Sequence, residues 1–217
     1  MRHKLASPIV TIGLALALSG CISFGSDPPP YFLTLEPAAT VAPATSRTPA
    51  ANEAITVVPP TLPQALNTNR VPVHSGGTAV AYLKNAQWVE TPDTLFSRLL
   101  SETIAARTGR VVLDPQQFTF DPGVRLTGQL QSFGVDADAM EVVVTYDAAL
   151  ARGADAIETR RFEARVPVAA VETAAVGAAL NQAANQVGTD VASWIGGWRP
   201  FRRAASQSSA RSDRSGQ

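Results

Sequence analysis

Three consecutive segments in the second half of the chain alternate between apolar and polar residues, and this alternation restricts the fold more than any other feature. Their apolar members are Val124, Leu126 and Leu130, then Val142, Val144, Tyr146, Ala148 and Leu150, then Phe162, Ala164, Val166 and Val168. A period of two places each set on one face of a β-strand. The pattern therefore predicts an antiparallel section of sheet with one face toward the core and the other toward water.

Two stretches with helical spacing lie on either side of these strands. Thr91 and Pro92 are typical of a helix start, since Thr can cap exposed amides and Pro is favoured in the first turn, and Gly109 is placed to end this helix. Its apolar stripe is Phe96, Leu99, Leu100 and Ile104. The second helix is predicted over about residues 173–195, before Gly196-Gly197. Its apolar stripe is Val176, Leu180, Ala183, Val187, Val191 and Trp194, and its opposite face (Asn181, Gln182, Asn185, Thr189) is polar but uncharged.

The remaining apolar runs are short and predict minor strands. They are Tyr31–Leu35, Ile55–Val58, Val71–His74, Thr78–Leu83 and Val111–Leu113, of which the third and fourth form a hairpin around Ser75-Gly76-Gly77. Residues 37–52, rich in Ala, Pro and Thr, predict a loose loop. The fold class predicted is α/β: a single three-layer domain over residues 31–198, with a mixed, mostly antiparallel sheet packed by an early helix and a long C-terminal helix.

The beginning of the chain has the layout of an export signal. A basic head with Arg2 and Lys4 precedes the apolar run Pro8–Leu18, which is too short to span a membrane as a helix. Ser19 and Gly20 then lead to Cys21, the one cysteine in the chain. The order Leu18-Ser19-Gly20-Cys21 resembles the lipobox of bacterial lipoproteins. An ordinary signal peptide followed by a chance cysteine is the alternative.

The resemblance to a lipobox implies that residues 1–20 are a lipoprotein signal peptide and that Cys21 carries covalent lipid, a diacylglycerol with further acylation such as palmitate. Residues 21–30, with three consecutive prolines, would then be a lipidated tether. Acyl chains contribute about 0.8 kcal/mol per buried methylene, so two or three chains anchor stably. Apart from this lipid, no cofactor is expected.

Charge and cysteine content exclude several other classes of protein. The chain has 18 basic and 18 acidic residues, and loss of Arg2 and Lys4 with the signal leaves a nearly neutral mature protein. No basic excess therefore indicates nucleic-acid binding. With a single cysteine the fold must hold without an internal disulfide. Residues 199–217 contain five arginines, one aspartate and no apolar period, which predicts a disordered Arg/Ser-rich tail.

Catalytic and metal-binding patterns are weak. His74 beside the Gly-Gly turn and Cys21 are the only candidates of their types outside the signal, so thiolate zinc sites and Cys-His dyads are not expected. No Gly-x-Ser-x-Gly elbow or phosphate-binding loop is present. The four carboxylates Asp114, Asp121, Asp136 and Asp138 sit at expected turns. We predict no catalytic residue, no metal site and no enzymatic activity.

With these features in hand, the chain resembles the ABC-type transport auxiliary lipoproteins over about residues 18–197. The matching features are the lipobox, Tyr31-Phe32-Leu33, Ile55-Thr56-Val57 before Pro60-Thr61-Leu62-Pro63, Val80-Ala81-Tyr82 before Trp88, Phe96 with Leu99-Leu100, Thr108-Gly109-Arg110-Val111-Val112, Gly128-Gln129-Leu130 and the late helix ending near Trp194-Ile195. The insertion at residues 37–52 departs from the family pattern.

This resemblance implies a layered α/β fold and a non-enzymatic envelope component. Its implied partners are an ABC permease, its ATPase and a mammalian-cell-entry (MCE) domain protein that moves lipid between membranes. Ile22 follows Cys21 in place of the aspartate that retains enteric lipoproteins at the inner membrane. By that analogy we expect attachment to the periplasmic face of the outer membrane.

Within this framework docking to the transport assembly is the leading hypothesis. Leu62, Pro63 and Trp88 are the candidate partner interface, because Trp is enriched in interface hot spots and the Pro-rich stretch is stiff. The plainer interpretation of Trp88 is a packing residue, in a loop before the first helix, that covers the helix start. A lipid carrier with its own Leu- and Val-lined cavity above roughly 300 Å³, and a structural lipoprotein assisting outer-membrane protein assembly, remain alternatives. The transported molecule and self-association into a homo-oligomer are left open.

Overall fold

A computed structural model describes residues 31–43, 45–46, 54–115, 124–152 and 156–197. The predicted signal peptide, the tether with Cys21, and the C-terminal tail lie outside these residues. Eleven elements follow in chain order within the described ranges. They are β1 (Tyr31–Leu33), β2 (Ala54–Val57), β3 (Pro72–Ser75), β4 (Ala79–Tyr82), β5 (Ala86–Trp88), α1 (Pro92–Thr108), β6 (Val111–Leu113), β7 (Val124–Asp136), β8 (Glu141–Arg152), β9 (Ala156–Pro167) and α2 (Thr173–Gly197).

Strand β7 is the centre of a seven-stranded mixed sheet in the described chain. On one side it pairs along its length with β8, which pairs with β9, and both pairings are antiparallel as the alternation predicts. On the other side β7 holds two parallel partners, with β2 at its first residues and β3 at its last. β6 extends the sheet beyond β2, and β4 forms the predicted hairpin with β3. A bulge at Gln131 interrupts the β7–β8 register.

Both helices pack on the same face of this sheet. Tyr146 of β8 and Phe162 of β9 are cross-strand neighbours, so their side chains share one face. The ring of Phe96 in α1 lies 5.3 Å from that of Tyr146, and Trp194 in α2 lies 5.6 Å from Phe162. The single α/β domain with a mixed sheet, an early helix and a long late helix is therefore confirmed.

A close approach inside the core requires glycine at position 128 of β7. The ring of Tyr146 lies across this residue, and a Cβ added to Gly128 would meet the ring at 2.6 Å as well as the backbone oxygen of Asp147. In this position the Tyr146 hydroxyl donates a hydrogen bond to the Thr127 carbonyl at 3.1 Å. Complete burial raises the pKa of the Tyr146 phenol well above its ordinary value.

The first helix begins and ends where the sequence indicates. Thr91 is the N-cap residue and Pro92 follows in the first turn, while Gly109 takes a left-handed conformation at φ 71°. The expected capping bond is absent at the described N-terminus, because the Thr91 hydroxyl contacts the Thr94 hydroxyl at 3.3 Å instead of a backbone amide. The second helix includes Gly196 and Gly197, so it continues two residues beyond its predicted end.

The prediction of a loose loop after the first strand is wrong for its first residues. Asn181 and Asn185 on the uncharged polar face of α2 bind the backbone there. The Glu36 and Ala38 amides donate to Asn181 Oδ1 and Asn185 Oδ1 at 2.8 and 2.7 Å, and Asn185 Nδ2 donates to the Glu36 carbonyl at 2.8 Å. The Val41 amide donates to Glu102 of α1 at 2.6 Å. These bonds hold residues 36–41 as a thin third layer over the helices.

Candidate docking surfaces

The predicted interface residues Leu62 and Pro63 lie on a strip, residues 58–63, that continues the sheet between β2 and β3. The Val58 and Thr61 amides donate to carbonyls of β7 at 2.9 and 3.0 Å, and the Leu130 amide donates back to the Thr61 carbonyl at 3.0 Å. Proline has no amide proton, so Pro59, Pro60 and Pro63 interrupt a regular strand here. The strip is held against β7 without becoming part of a ladder.

Leu62 and Pro63 are both half-buried. Leu62 packs against the main hydrophobic core, and the Pro63 carbonyl accepts the Leu66 amide at 2.9 Å in the following turn. The two residues therefore present a fixed, partly accessible apolar surface. Fixed geometry lowers the conformational entropy lost on binding a partner.

Trp88 does not belong to this surface, and its prediction as an interface anchor is wrong. It lies in β5, which pairs in parallel with β1, and not in a loop. Its side chain is 0% exposed and its ring lies 5.4 Å from that of Phe133. No atom of the indole can reach a partner without opening the core. The alternative interpretation, a packing residue ahead of the first helix, is the one that the structure supports.

An open groove of about 390 Å³ lies between β4 and the start of α2. Val73, Leu83 and Val171 are among the apolar residues of its lining, and Lys84 and Glu172 are among the polar ones. Its size reaches the range of ligand pockets, but the groove is open to solvent and its lining is mixed. Leu180 and Val187 of α2 are fully buried and belong to the hydrophobic core of the described domain.

The outer face of β8 and β9 carries paired charges. Arg161 donates to both carboxylate oxygens of Asp147 at 2.6 and 2.7 Å, and Arg165 binds Glu163 and Glu141, each at 2.8 Å. The Arg161 guanidinium is the main cause that holds the pKa of Asp147 below its ordinary value, and Arg165 does the same for the pKa of Glu163. Because these pairs are largely exposed, they contribute little to stability.

One candidate for catalytic or metal chemistry within the described residues is His74. His74 is exposed at the end of β3, beside the Gly76 turn. Within the described ranges, no group of three His, Cys, Asp or Glu side chains converges as a metal site would require. Neither α1 nor α2, the two helices that the structure describes, is long and apolar enough to cross a membrane.

Comparison with known proteins decides the family. The sequence model of the ABC-type transport auxiliary lipoprotein component matches residues 31–192. The chain belongs to this family. A search of curated proteins finds no match. The family is named for its association with an ABC-type transport system and consists of lipoproteins, which are membrane-anchored and periplasmic; it is not a known class of enzymes.

Solved structures similar to this auxiliary lipoprotein share its fold at low sequence identity. A crystal structure of an uncharacterized protein has a TM-score of 0.59 at 18% identity, covering 68% of this chain and 94% of that one. A Xanthomonas campestris protein of the DUF330 family has a TM-score of 0.57 at 19% identity, covering 77% of this chain and 92% of its own. At this identity the similarity establishes the fold alone.

The family match begins at Tyr31 in β1 and ends inside α2. The strip with Leu62 and Pro63, the open groove and the charged face are therefore all parts of the auxiliary lipoprotein domain. The sequence did not predict that α2 binds the backbone at Glu36 and Ala38, although a helix face that is polar and uncharged was the available signal. Side-chain amides can donate and accept at once, which suits them to bind an extended backbone.

Proposed function

We propose that this auxiliary lipoprotein is the lipid-anchored docking component of an ABC/MCE-type system that moves lipid between the two bacterial membranes. The observation that carries the proposal is the family match over residues 31–192, which associates the whole described domain with ABC-type transport. The domain binds the transport assembly, including its MCE-domain protein and through it the permease and ATPase.

Anchoring depends on Cys21. The lipobox Leu18-Ser19-Gly20 precedes it, and nine residues (22–30) separate the acylated cysteine from β1. With Ile22 in the following position, the expected destination is the periplasmic face of the outer membrane. There the domain binds the end of the transport assembly that is distal to the ABC permease.

Docking is favoured over lipid carriage by the packing of the domain. A carrier needs an enclosed apolar cavity, because a lipid chain in contact with water loses the free energy of burial. The groove beside β4 has sufficient volume, about 390 Å³, but is open and has Lys84, Asn85 and Glu172 in its lining. The half-buried, rigid strip with Leu62 and Pro63 is the surface that we assign to partner binding.

The anchoring part of the proposal is tested with Cys21→Ala in the full-length chain. We expect the variant to lose palmitate labelling and to leave the membrane fraction, while its folded domain keeps the circular dichroism of the wild type. Ser23→Ala, two residues away, is the matched control and should remain acylated and membrane-bound. Unchanged membrane fractionation of Cys21→Ala would refute anchoring through this residue.

The docking part is tested by photo-cross-linking in intact envelopes. A benzoylphenylalanine placed at Pro63 should cross-link to the MCE-domain protein, whereas the same group at Arg161, on the charged face of β9, should not. Capture of an outer-membrane assembly substrate from Pro63, with no MCE protein or ABC subunit, would instead support the role in outer-membrane protein assembly. Equal cross-linking from both positions would contradict the assignment of the strip with Leu62 and Pro63 to partner binding.

A further inference from the structure

Aromatic and apolar side chains are exposed together on the small sheet formed by β1 and β5. Tyr31 and Phe32 are 65% and 58% exposed, and Val89, directly after β5, is 47% exposed. We call these three residues the β1–β5 patch. Most large apolar side chains in the described domain are buried, so exposure of neighbouring ones marks a contact surface.

The register of the two strands places Phe32 and Val89 on one face. Phe32 pairs with Gln87, and the Val89 amide donates to the Leu33 carbonyl at 3.0 Å. Side chains alternate along a strand, so Leu33 and Trp88 point inward while their neighbours point outward. Leu33 indeed packs against the core, and Trp88 is fully buried. Alternation therefore requires Phe32 and Val89 to face outward, since their neighbours already fill the core. Tyr31 lies on the strand face of Leu33 and is exposed at the first residue of β1.

The place of the patch in the chain limits what can cover it. Tyr31 is the tenth residue after Cys21, and a fully extended chain of ten residues spans at most about 36 Å. A lipid on Cys21 therefore keeps this end of the domain within that distance of the bilayer. The tether joins the domain at the patch itself, so the patch is the part of the domain that reaches the membrane with the least extension.

The chemistry of the patch suits the headgroup region of a phospholipid membrane. Tyrosine and other aromatic residues favour the interface between water and acyl chains. Lys84 is exposed and lies two residues before Ala86, the pairing partner of Tyr31, where it can meet a lipid phosphate. The acidic neighbour Glu90 is paired with Arg98 at 2.6 Å, which reduces its repulsion of phosphate.

We propose that the β1–β5 patch contacts the phospholipid headgroup region of the membrane that holds Cys21, and so sets the orientation of the domain. This inference rests on the anchoring proposed above. It assigns the patch to the membrane and leaves the strip with Leu62 and Pro63 for the protein partner.

The opposite end of α2 supplies a matched control. Leu33 packs against Gly177 near the start of α2, whereas Trp194 near its end donates from Nε1 to Glu158 at 2.7 Å. Trp194 lies seventeen positions after Gly177, which corresponds to about 25 Å along the helix axis. Ile157, next to Glu158, is 70% exposed. It is an exposed apolar strand residue like Phe32, but at the distant end of the domain.

The test uses the full-length lipidated protein with one introduced cysteine, Phe32→Cys or Ile157→Cys. Lipid occupies the Cys21 sulfur, so the new thiol can be labelled with the polarity-sensitive fluorophore NBD, and unsubstituted protein measures background labelling. The proteins are reconstituted into phosphatidylethanolamine–phosphatidylglycerol vesicles that contain a shallow spin-labelled phospholipid. Val89→Cys is a second probe on the same patch, should Phe32→Cys fold poorly by circular dichroism.

We expect the label at position 32 to emit at shorter wavelength in vesicles and to lose intensity with the spin-labelled lipid, while the label at 157 does neither. Flotation with the vesicles reports anchoring separately. If both labelled variants float with the vesicles but each label reports a water-like environment, the proposed membrane contact is overturned while anchoring is supported. Protein that fails to float overturns both. A position-32 label shielded only after the transport partners are added assigns the patch to a protein contact and also overturns the proposal.

Discussion

Asn185→Ala tests the conclusion that α2 holds the Glu36–Ala38 part of the segment 36–41. The substitution removes two hydrogen bonds to that segment, from the Ala38 amide and to the Glu36 carbonyl, at 2.7 and 2.8 Å. The net contribution of each hydrogen bond to the free energy of unfolding is about 1 kcal/mol. The higher helix propensity of alanine offsets this loss of free energy of unfolding by about 0.5 kcal/mol. We expect the free energy of unfolding to fall by about 1 to 2 kcal/mol, and the melting temperature by about 3 to 6 °C for a domain of this size.

Two variants on the same helix face serve as comparisons. Asn181→Ala removes one bond, from the Glu36 amide at 2.8 Å, and with the same helix-propensity gain should lower the free energy of unfolding by about 0.5 kcal/mol. Gln182→Ala changes an exposed neighbour and should be neutral or slightly stabilising. Thermal unfolding followed by circular dichroism measures stability, and hydrogen exchange of the Ala38 amide reports the segment directly. A melting temperature of Asn185→Ala equal to that of Gln182→Ala would contradict the expected role of Asn185. So would an Ala38 amide that keeps its wild-type protection from hydrogen exchange.

Two further substitutions and a pH titration test the core and the charged face. Gly128→Ala should lower the free energy of unfolding by about 3 kcal/mol or more, since its Cβ would meet both ring and backbone, while Tyr146→Phe should lose only about 1 kcal/mol in denaturant titrations. Asp147 and Glu163 have pKa values lowered in the fold from 3.8 and 4.5, so their small stabilisation is present above about pH 4.5 and lost as pH falls through the folded values. Asp147→Asn should weaken that acid dependence, and an unchanged pH profile of the denaturation midpoint would contradict it.

Periodic elements could be predicted from sequence because one residue period determines which side chains share a face. The alternation around Tyr146 and Phe162 identified β8 and β9, and helical spacing identified α1 and α2 to within a few residues. Burial alternates regularly along the whole of such an element, so the apolar–polar pattern in the sequence is repeated many times. Where no period exists, short apolar runs still located strands, but their pairing partners, apart from the β3–β4 hairpin, were not predicted.

The parallel pairings are of this second kind. β1 and β5 have three residues each, and nothing in so short a run specifies its partner. Trp88 was therefore interpreted as a loop residue although it pairs with Leu33. The composition of residues 37–52 indicated looseness, because Ala, Pro and Thr carry no periodic signal, and the binding of the first of them depends on amides almost 150 positions away.

The candidate surfaces also divide into those with a local sequence motif and those that depend on strand pairing. Cys21 was identified because the lipobox is a local motif, and its acylation stays a prediction. Leu62 and Pro63 also remain a predicted interface, now on a strip fixed to β7. The β1–β5 patch could not be recognised beforehand, since Tyr31-Phe32-Leu33 has the composition of any buried strand and only the register with β5 exposes Phe32.

One thirteen-residue strand, β7, receives β8 on one edge and β2, the strip and β3 on the other. In an exported polypeptide that emerges from its N-terminus, β2 precedes this partner by about seventy residues. β2 and β3 can therefore pair with β7 only after residues 124–136 have reached the same side of the membrane. Pairing over such separations is slow, so completion of the sheet depends on a single late segment, and until then β2 and β3 are without their β7 partner.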